Sequence, residues 1–199
     1  MLLHDDTIDR TTNKSGHVSE MSLEQIQRLD AGNWQRVPTL EEALDVAGRA
    51  VGMILELKVE GIGNEACAIV KRTGFPGPLI YASFLMPELQ RVRQTDPDAK
   101  IMVLQHRRLP PDPVADVVAL DASHVGLHFS TVTPMLLQTY HNLGRQVFVY
   151  TVNESQDIQR MRNLGVDGII SDFPDRIRAR HRAHGLRLGK RTVPSLSWL

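Results

Sequence analysis

The sequence predicts an α/β fold in which about six strand–helix units form most of a barrel-like sheet of parallel strands. Short apolar strands alternate with helices at intervals of roughly 20 to 25 residues. The strands are apolar along their length, which is typical of parallel strands buried on both faces. These two observations fit an open doubly wound sheet as well as a (β/α)8 barrel.

The polar residues at the strand ends favour the barrel. A barrel gathers the carboxyl ends of all its strands around one mouth, where the active sites of barrel enzymes lie. Barrels usually have about 250 residues, so a chain of 199 residues is expected to be short by about two units. The polar residues concerned are Glu56, Lys58, Ser83, Gln105, His128, Thr151, Asn153 and Asp172.

Two helix starts are predicted before the first of these strands. Ser22 can cap a helix, and Gln25 stands three residues later, as in a capping box. Thr39 and Glu42 repeat the same spacing. A short helix is therefore expected after each of the two caps.

From residue 53 onward the chain alternates regularly. Strands are predicted at 53–58, 79–84, 100–105, 124–128, 146–152 and 166–172. Helices are predicted at 63–73, 87–94, 114–119, 133–143 and 156–164. Pro134 stands in the first turn of its helix, while Gly144 and Gly165 follow helix ends, which are the usual places of these residues.

The composition is that of a globular protein without a charge bias. Hydrophobic residues make up 42%, and 23 basic residues balance 23 acidic ones. This balance excludes a polycation that binds nucleic acid by charge alone. The single cysteine, Cys67, excludes an intrachain disulfide and a multi-cysteine zinc site. No apolar run approaches the roughly 18 residues of a membrane span.

We expect one domain over residues 1–178, followed by a tail. After Ile177 the sequence becomes basic and loses its periodic apolar residues, so 179–199 is interpreted as a basic C-terminal tail. The first ten residues contain neither the basic start nor the long apolar segment of a signal peptide. The default expectation is therefore a cytoplasmic protein.

Glu56 and Lys58 are the first candidates for chemistry. Residues two apart in a strand share a face, so both side chains point to the side of Ile54, which is the interior of a barrel. Charges there are costly unless they are paired or bind an ion. One interpretation is a buried ion pair. The other is a metal-binding carboxylate beside a phosphate-binding lysine, and oxygen ligands suit Ca²⁺ or Mg²⁺.

His4 is the second candidate. Leu2 and Leu3 resemble the end of a strand, which would place His4 at a strand end. Histidine is the side chain best suited to moving protons near neutral pH. A structural or surface role is the alternative.

Six stretches of the sequence occur in the same order in one known family. They are HDDTIDRTTNKSGHVSEMSLEQIQRLDAGNW, VPTLEEAL, ILELK, YASF, VFVYTVN and GVDGIISDFP, and they run through about residues 2 to 178. Together they resemble the glycerophosphodiester phosphodiesterase family of barrels. The resemblance implies a (β/α)8 fold and the hydrolysis of glycerophosphodiesters to glycerol phosphate and an alcohol. It also implies a divalent cation, Ca²⁺ or Mg²⁺, and a small-molecule substrate.

The resemblance assigns roles to five residues. His4 matches the histidine of the family's HD motif, one of two catalytic histidines. Glu56 matches a metal-binding glutamate, and Lys58 matches the lysine that contacts the substrate phosphate. Phe84 matches a residue of the pocket wall. Tyr150 stands where the family usually has a tryptophan beside the glycerol side of the substrate.

Three motifs of the family do not occur in this sequence. They are H-R-G at the end of the first strand, a nearby E-N-T, and E-x-D on the second strand. In the family they supply the other catalytic histidine, a phosphate-binding arginine and two metal-binding carboxylates. The match begins at the strand with the HD motif, so we expect the first two strands of the barrel to be lacking.

Three interpretations follow from this departure. In the first, the functional polypeptide is longer and is an active, metal-dependent phosphodiesterase. In the second, the chain is a catalytically inactive, truncated domain that binds phosphorylated ligands weakly through Lys58. In the third, it completes its barrel with another chain. The sequence leaves the oligomeric state open.

Overall fold

A single parallel sheet organises the chain. The computed structural model describes residues 1–178, and the predicted tail at 179–199 lies outside the described residues. Each strand pairs in parallel with the next one along the chain, which gives the order β1-β2-β3-β4-β5-β6. The sheet curls into part of a barrel and is open between β1 and β6. The strands are β1 Met53–Glu56, β2 Leu79–Ser83, β3 Lys100–Gln105, β4 His124–His128, β5 Gln146–Tyr150 and β6 Gly168–Ile169.

Helices alternate with these strands as predicted. They are α1 Leu23–Gln27, α2 Leu40–Ala47, α3 Gly63–Thr73, α4 Met86–Thr95, α5 Ala115–Ala119, α6 Pro134–Asn142, α7 Ser155–Leu164 and α8 Pro174–Arg178. Two short 3₁₀ helices lie at Val18–Glu20 and Phe129–Thr131. Among the helices of residues 1–178, none combines the length and the apolar content that a membrane crossing requires.

Both predicted capping boxes are confirmed. Ser22 Oγ accepts from the Gln25 N–H at 3.3 Å, and Gln25 Oε1 accepts from the Ser22 N–H at 2.7 Å. Thr39 Oγ1 and the Glu42 N–H make the same pair at 3.2 Å, with a return bond of 2.8 Å from the Thr39 N–H to Glu42 Oε2. Each box satisfies two N–H groups that a helix start leaves unpaired.

The two faces of the sheet are packed unequally. The outer face and the helices form the main core, in which Leu55 and Leu57 of the β1 segment are 7% and 2% exposed. Further members are Tyr81, Ile101, Val103, Val125, Leu127, Val147 and Val149. On the inner face, Ile54, Ile80 and Phe148 are only half-buried. The curled but open sheet leaves this face incompletely covered.

The N-terminal segment differs from the prediction. Leu2 and Leu3 are not part of a strand, and the backbone N–H of Leu2 donates to Pro38 O at 3.0 Å. Without an adjacent strand among the described residues, the segment packs through side chains. Met1 and Leu3 contact a second apolar cluster, whose buried members are Ile8, Ile26, Leu29 and Val37. His4 therefore begins a loop and does not end a strand.

Candidate functional site

The carboxyl end of β1 presents an ion pair on the inner face of the sheet. Lys58 Nζ lies 3.0 Å from Glu56 Oε1, and each side chain is 29% exposed. The strand alternation puts both side chains opposite Leu55 and Leu57, which are buried in the outer core. An ion pair is thus present, although one of the two alternatives for these residues expects it to be buried. It is partly open to solvent, so the lysine can reach a ligand.

Ser83 fixes the backbone that carries this pair. Its hydroxyl donates to Leu57 O at 2.6 Å and accepts from the Leu85 N–H at 2.9 Å. The Leu57 N–H also donates to Ala82 O at 2.8 Å. Ser83 is fully buried. The end of β2 therefore holds the residue next to Lys58 in place.

Glu88 holds the loop that follows Lys58. Its carboxylate accepts from the Gly61 N–H at 2.7 Å and from the Gly63 N–H at 2.8 Å, and Arg91 Nη1 lies 2.5 Å away. The side chain is fully buried. Burial acts to raise the pKa of Glu88, but these donors outweigh it and keep that pKa below its ordinary value. No sequence pattern singles out Glu88, since two of its partners are backbone N–H groups.

Two of the predicted substrate-binding residues lie together beside this strand end. The rings of Phe84 and Tyr150 meet edge to face with centroids 6.0 Å apart. The Tyr150 hydroxyl donates to Gln105 O. Burial and the nearby charge of Glu56 raise the pKa of Tyr150 to about 12. Glu56, Lys58, Phe84 and Tyr150 therefore lie on one side of the sheet. Strand position singles out Glu56 and Lys58, whereas Phe84 and Tyr150 are singled out only by the family resemblance.

Two histidines extend this row of rings. His106 stacks on Phe84 with centroids 4.5 Å apart, and His128 meets Tyr150 edge to face at 6.1 Å. The Ser130 N–H donates to His128 Nδ1, which places the proton of the neutral ring on Nε2. Burial and the charge of Arg107 lower the pKa of His128. His128 is one of the polar residues predicted at strand ends, and His106 directly follows β3.

His4 lies in a separate polar network. Its Nδ1 is 2.8 Å from Asp5 Oδ1, and its side chain is 51% exposed. Arg10 binds the same carboxylate through two nitrogens. The charge of Asp172, which follows β6, reaches Arg10. His4 therefore belongs to an N-terminal network with Asp5 and Arg10, whereas Glu56 and Lys58 lie at the end of β1.

The donors for a cation are too few. Within residues 1–178, no group of three or more metal-ligating side chains comes together. Glu56 supplies one carboxylate, and Lys58 is paired with it. Ca²⁺ takes about six to eight oxygens, and Mg²⁺ requires a near-octahedral set. The described residues therefore do not fit a complete Ca²⁺ or Mg²⁺ site.

A family model matches nearly all of the described chain. It is the model of the glycerophosphoryl diester phosphodiesterase family, and the match covers residues 1–176. The chain belongs to the glycerophosphoryl diester phosphodiesterase family. The predicted family is thereby confirmed, and hydrolysis of glycerophosphodiesters is the reaction that this membership supports.

Curated relatives of the family are longer than this chain. A putative glycerophosphodiester phosphodiesterase of Bacillus subtilis is 30% identical over an alignment of 188 positions, and this alignment covers 88% of this chain and 77% of the relative. A glycerophosphodiester phosphodiesterase of Caldanaerobacter subterraneus is 31% identical with the same coverage. About three quarters of each relative is therefore matched.

Solved structures of family members confirm the barrel type. A phosphodiesterase of Oleispira antarctica, in complex with the product sn-glycerol-3-phosphate, superimposes with a TM-score of 0.80 at 27% identity. The match covers 89% of this chain and 77% of that one. A putative glycerophosphoryl diester phosphodiesterase of Silicibacter pomeroyi gives a TM-score of 0.78 at 27% identity, covering 88% and 76%. The six parallel strands of this glycerophosphoryl diester phosphodiesterase family member thus correspond to most of a family barrel.

Proposed function

We propose that this chain hydrolyses glycerophosphodiesters with residues at its strand ends and with His4 of the N-terminal loop. Lys58 binds the phosphate, Phe84 and Tyr150 contact the glycerol side, and His4 transfers a proton. The observation that carries the proposal is the Glu56–Lys58 pair. It lies partly open to solvent on the inner face, and the Tyr150 hydroxyl lies within reach of the Glu56 charge.

Lys58 is suited to neutralising a phosphodiester. Its ammonium has three donors, and Glu56 takes one of them. The two remaining donors can bind phosphate oxygens, whose negative charge increases as the nucleophile attacks. Ser83 and Glu88 hold the backbone on both sides of Lys58, so the ammonium is positioned before a ligand arrives.

The aromatic wall is suited to the neutral part of the substrate. Phe84 supplies an apolar face, and Tyr150 combines an apolar ring with a hydroxyl. Because burial and Glu56 raise the pKa of Tyr150 to about 12, its hydroxyl is neutral at physiological pH. A neutral phenol does not repel an anionic phosphate beside it.

His4 is the predicted proton-transfer group. Its ring is half-exposed, and Asp5 occupies Nδ1. Hydrolysis needs one group to activate water and another to protonate the leaving oxygen. A single histidine does not perform both tasks at the same moment, so a second acid–base group has to take part. Glu56 stays a predicted ligand of a divalent cation whose other ligands residues 1–178 do not supply.

A binding function without turnover is the second candidate. It is favoured by the content of the described site, which holds one predicted catalytic histidine and one predicted cation carboxylate. Such a domain would retain the phosphate contact of Lys58. It would bind glycerol phosphate weakly and release no product from a diester.

Product release by the purified chain tests the proposal. Glycerophosphocholine or glycerophosphoethanolamine is incubated with the chain in Ca²⁺, Mg²⁺ or chelator, and free glycerol phosphate is measured. We expect turnover with a cation, and we expect its loss in His4→Ala and in Lys58→Met. His17→Ala and Lys14→Met are the controls, because each removes an exposed residue of the same type that has no role in the proposed site.

Binding separates the two candidates. Glycerol phosphate is titrated into the ¹⁵N-labelled chain, and amide shifts near Lys58 are followed. Binding that Lys58→Met abolishes, without turnover by the folded wild type, supports the binding domain and contradicts hydrolysis by this chain. If the folded chain shows neither binding nor turnover, both candidates are refuted.

A further inference from the structure

We infer that Arg10 is a positioning residue that fixes the tautomer of His4 through Asp5. The inference rests on the proposed proton-transfer role of His4. It adds two residues to that role, neither of which has to touch the substrate. The geometry that carries it is a chain of three side chains in one loop.

The three side chains are joined by short hydrogen bonds. Arg10 Nε donates to Asp5 Oδ2 at 2.6 Å, and Arg10 Nη2 donates to Asp5 Oδ1 at 3.1 Å. His4 Nδ1 lies 2.8 Å from the same Oδ1. A guanidinium that binds both oxygens of a carboxylate fixes the plane of that carboxylate. The oxygen that faces His4 is therefore held in a defined direction.

This arrangement decides which ring nitrogen carries the proton. The hydrogen bonds from Arg10 and His4 hold the pKa of Asp5 well below its usual range, so the carboxylate only accepts. Nδ1 of His4 must then be the donor, which leaves the lone pair of the neutral ring on Nε2. A carboxylate that orients a histidine in this way selects one tautomer for acid–base work.

The loop around Arg10 is closed by its own hydrogen bonds. The Ile8 N–H donates to Gly16 O at 3.0 Å, and Thr12 Oγ1 donates to Ile8 O at 2.8 Å. Ile8 itself is fully buried in the second apolar cluster. The backbone on the C-terminal side of Asp5 is thus anchored, and Arg10 projects back over the carboxylate.

A contribution to folding alone does not account for this chain of contacts. The Arg10 side chain is 62% exposed, and exposed ion pairs contribute little to stability. Loss of Arg10 is therefore expected to leave the urea midpoint of unfolding close to that of the wild type. Its effect should instead be seen at the ring of His4.

The test measures the tautomer of His4 by NMR. Two-bond ¹H–¹⁵N correlations of the ¹⁵N-histidine-labelled chain are recorded at a pH where the ring is neutral. We expect the Nδ1–H form to predominate in the wild type. In Arg10→Gln the ratio of the Nδ1–H to the Nε2–H form should fall about three- to tenfold. Asp5→Asn should lower the tautomer ratio at least as far. Arg10→Lys keeps the charge but cannot bind both carboxylate oxygens through a planar guanidinium, so it should give an intermediate ratio.

Arg28→Gln is the matched control, because Arg28 is an exposed arginine outside this loop. It should leave the His4 tautomer unchanged. A wild-type tautomer ratio in folded Arg10→Gln would overturn the inference. A shifted tautomer ratio in Arg10→Gln, together with full turnover in His4→Ala, would support the positioning role of Arg10 and contradict the proposed role of His4. The two failures are therefore distinguishable.

Discussion

Glu88→Gln is the sharpest test of how the structure supports the Lys58 strand end. The substitution keeps the shape of the side chain and removes its charge. In the wild type, one carboxylate oxygen accepts from the Gly61 N–H, and the other accepts from the Gly63 N–H. In the variant, one of these oxygens becomes an NH₂ group. A donor then faces a donor in a fully buried site.

The expected cost follows from these contacts. A hydrogen bond to a charged group contributes about 1.5–3 kcal/mol, and an unpaired buried donor costs about 1–3 kcal/mol. Removing the burial cost of the carboxylate offsets part of this loss. We therefore expect the free energy of unfolding to fall by about 2 kcal/mol. The neighbouring Arg91 also loses its charged partner.

Urea unfolding measures the loss of global stability, and amide exchange measures the local opening of the loop. The urea concentration at the midpoint of unfolding should fall, and the dependence of the unfolding free energy on urea should stay unchanged. The Gly61 and Gly63 amides should exchange about 30-fold faster if they open locally, because 1.4 kcal/mol is a factor of ten. Glu60→Gln is the control, since it makes the same change at an exposed carboxylate of the same loop. Equal midpoints and equal exchange in the two variants would refute the role of Glu88.

The contribution of Glu88 to the free energy of unfolding is expected to depend on pH. Because the folded-state pKa of Glu88 is below its ordinary value, its contribution to stability is present at neutral pH. It is lost as the pH falls below the ordinary glutamate value of about 4.3 and through the folded-state pKa. The wild type should therefore lose more stability than Glu88→Gln on acidification. A constant difference between the two proteins would contradict this explanation.

Three further outcomes are expected from the same structure. Burial is the main cause that raises the pKa of all three tyrosines, so absorbance at pH 10 should show almost no phenolate, and stability should fall as the pH rises further. Glu56→Gln should lower the pKa of Tyr150 in an NMR titration, but not to its ordinary value, because burial is the larger cause. Thr39→Ala should cost about 1 kcal/mol in urea unfolding and Thr39→Ser much less, since only alanine removes the cap.

The regular part of the fold could be predicted from periodicity and caps. The strands at 100–105 and 124–128 and the helix at 63–73 have the predicted bounds. The predicted strand at 166–172 is shorter, since the regular ladder covers only Gly168–Ile169. Two isolated hydrogen bonds continue beyond this ladder, from the Ile170 N–H to Val149 O and from the Val152 N–H to Ile170 O. β6 is an edge strand, so its length is set by the residues that pair with β5. Hydrophobicity alone does not show where this pairing stops.

The site was predictable only where it follows strand geometry. Alternation was sufficient to place Glu56 and Lys58 on one face, whereas Phe84 and Tyr150 could be singled out only through the resemblance to the family. Loop contacts were not accessible in the same way. The support from Glu88 depends on backbone N–H groups, and the pairing of Arg10 with Asp5 depends on the closure of a loop. Neither feature has a periodic signature in the sequence.

Folding and chemistry use opposite faces of the same strands. Leu57 is 2% exposed and belongs to the outer core, while the next residue, Lys58, is 29% exposed on the inner face. Burying a leucine contributes about 1.5–3 kcal/mol, so the buried residues of the outer face supply much of the apolar stabilisation. The inner face also buries Ala82 and Met102, and it carries the polar groups at the ends of its strands. A substitution at the strand ends of such a sheet can change the site and leave the outer core intact, so folding and activity have to be measured separately.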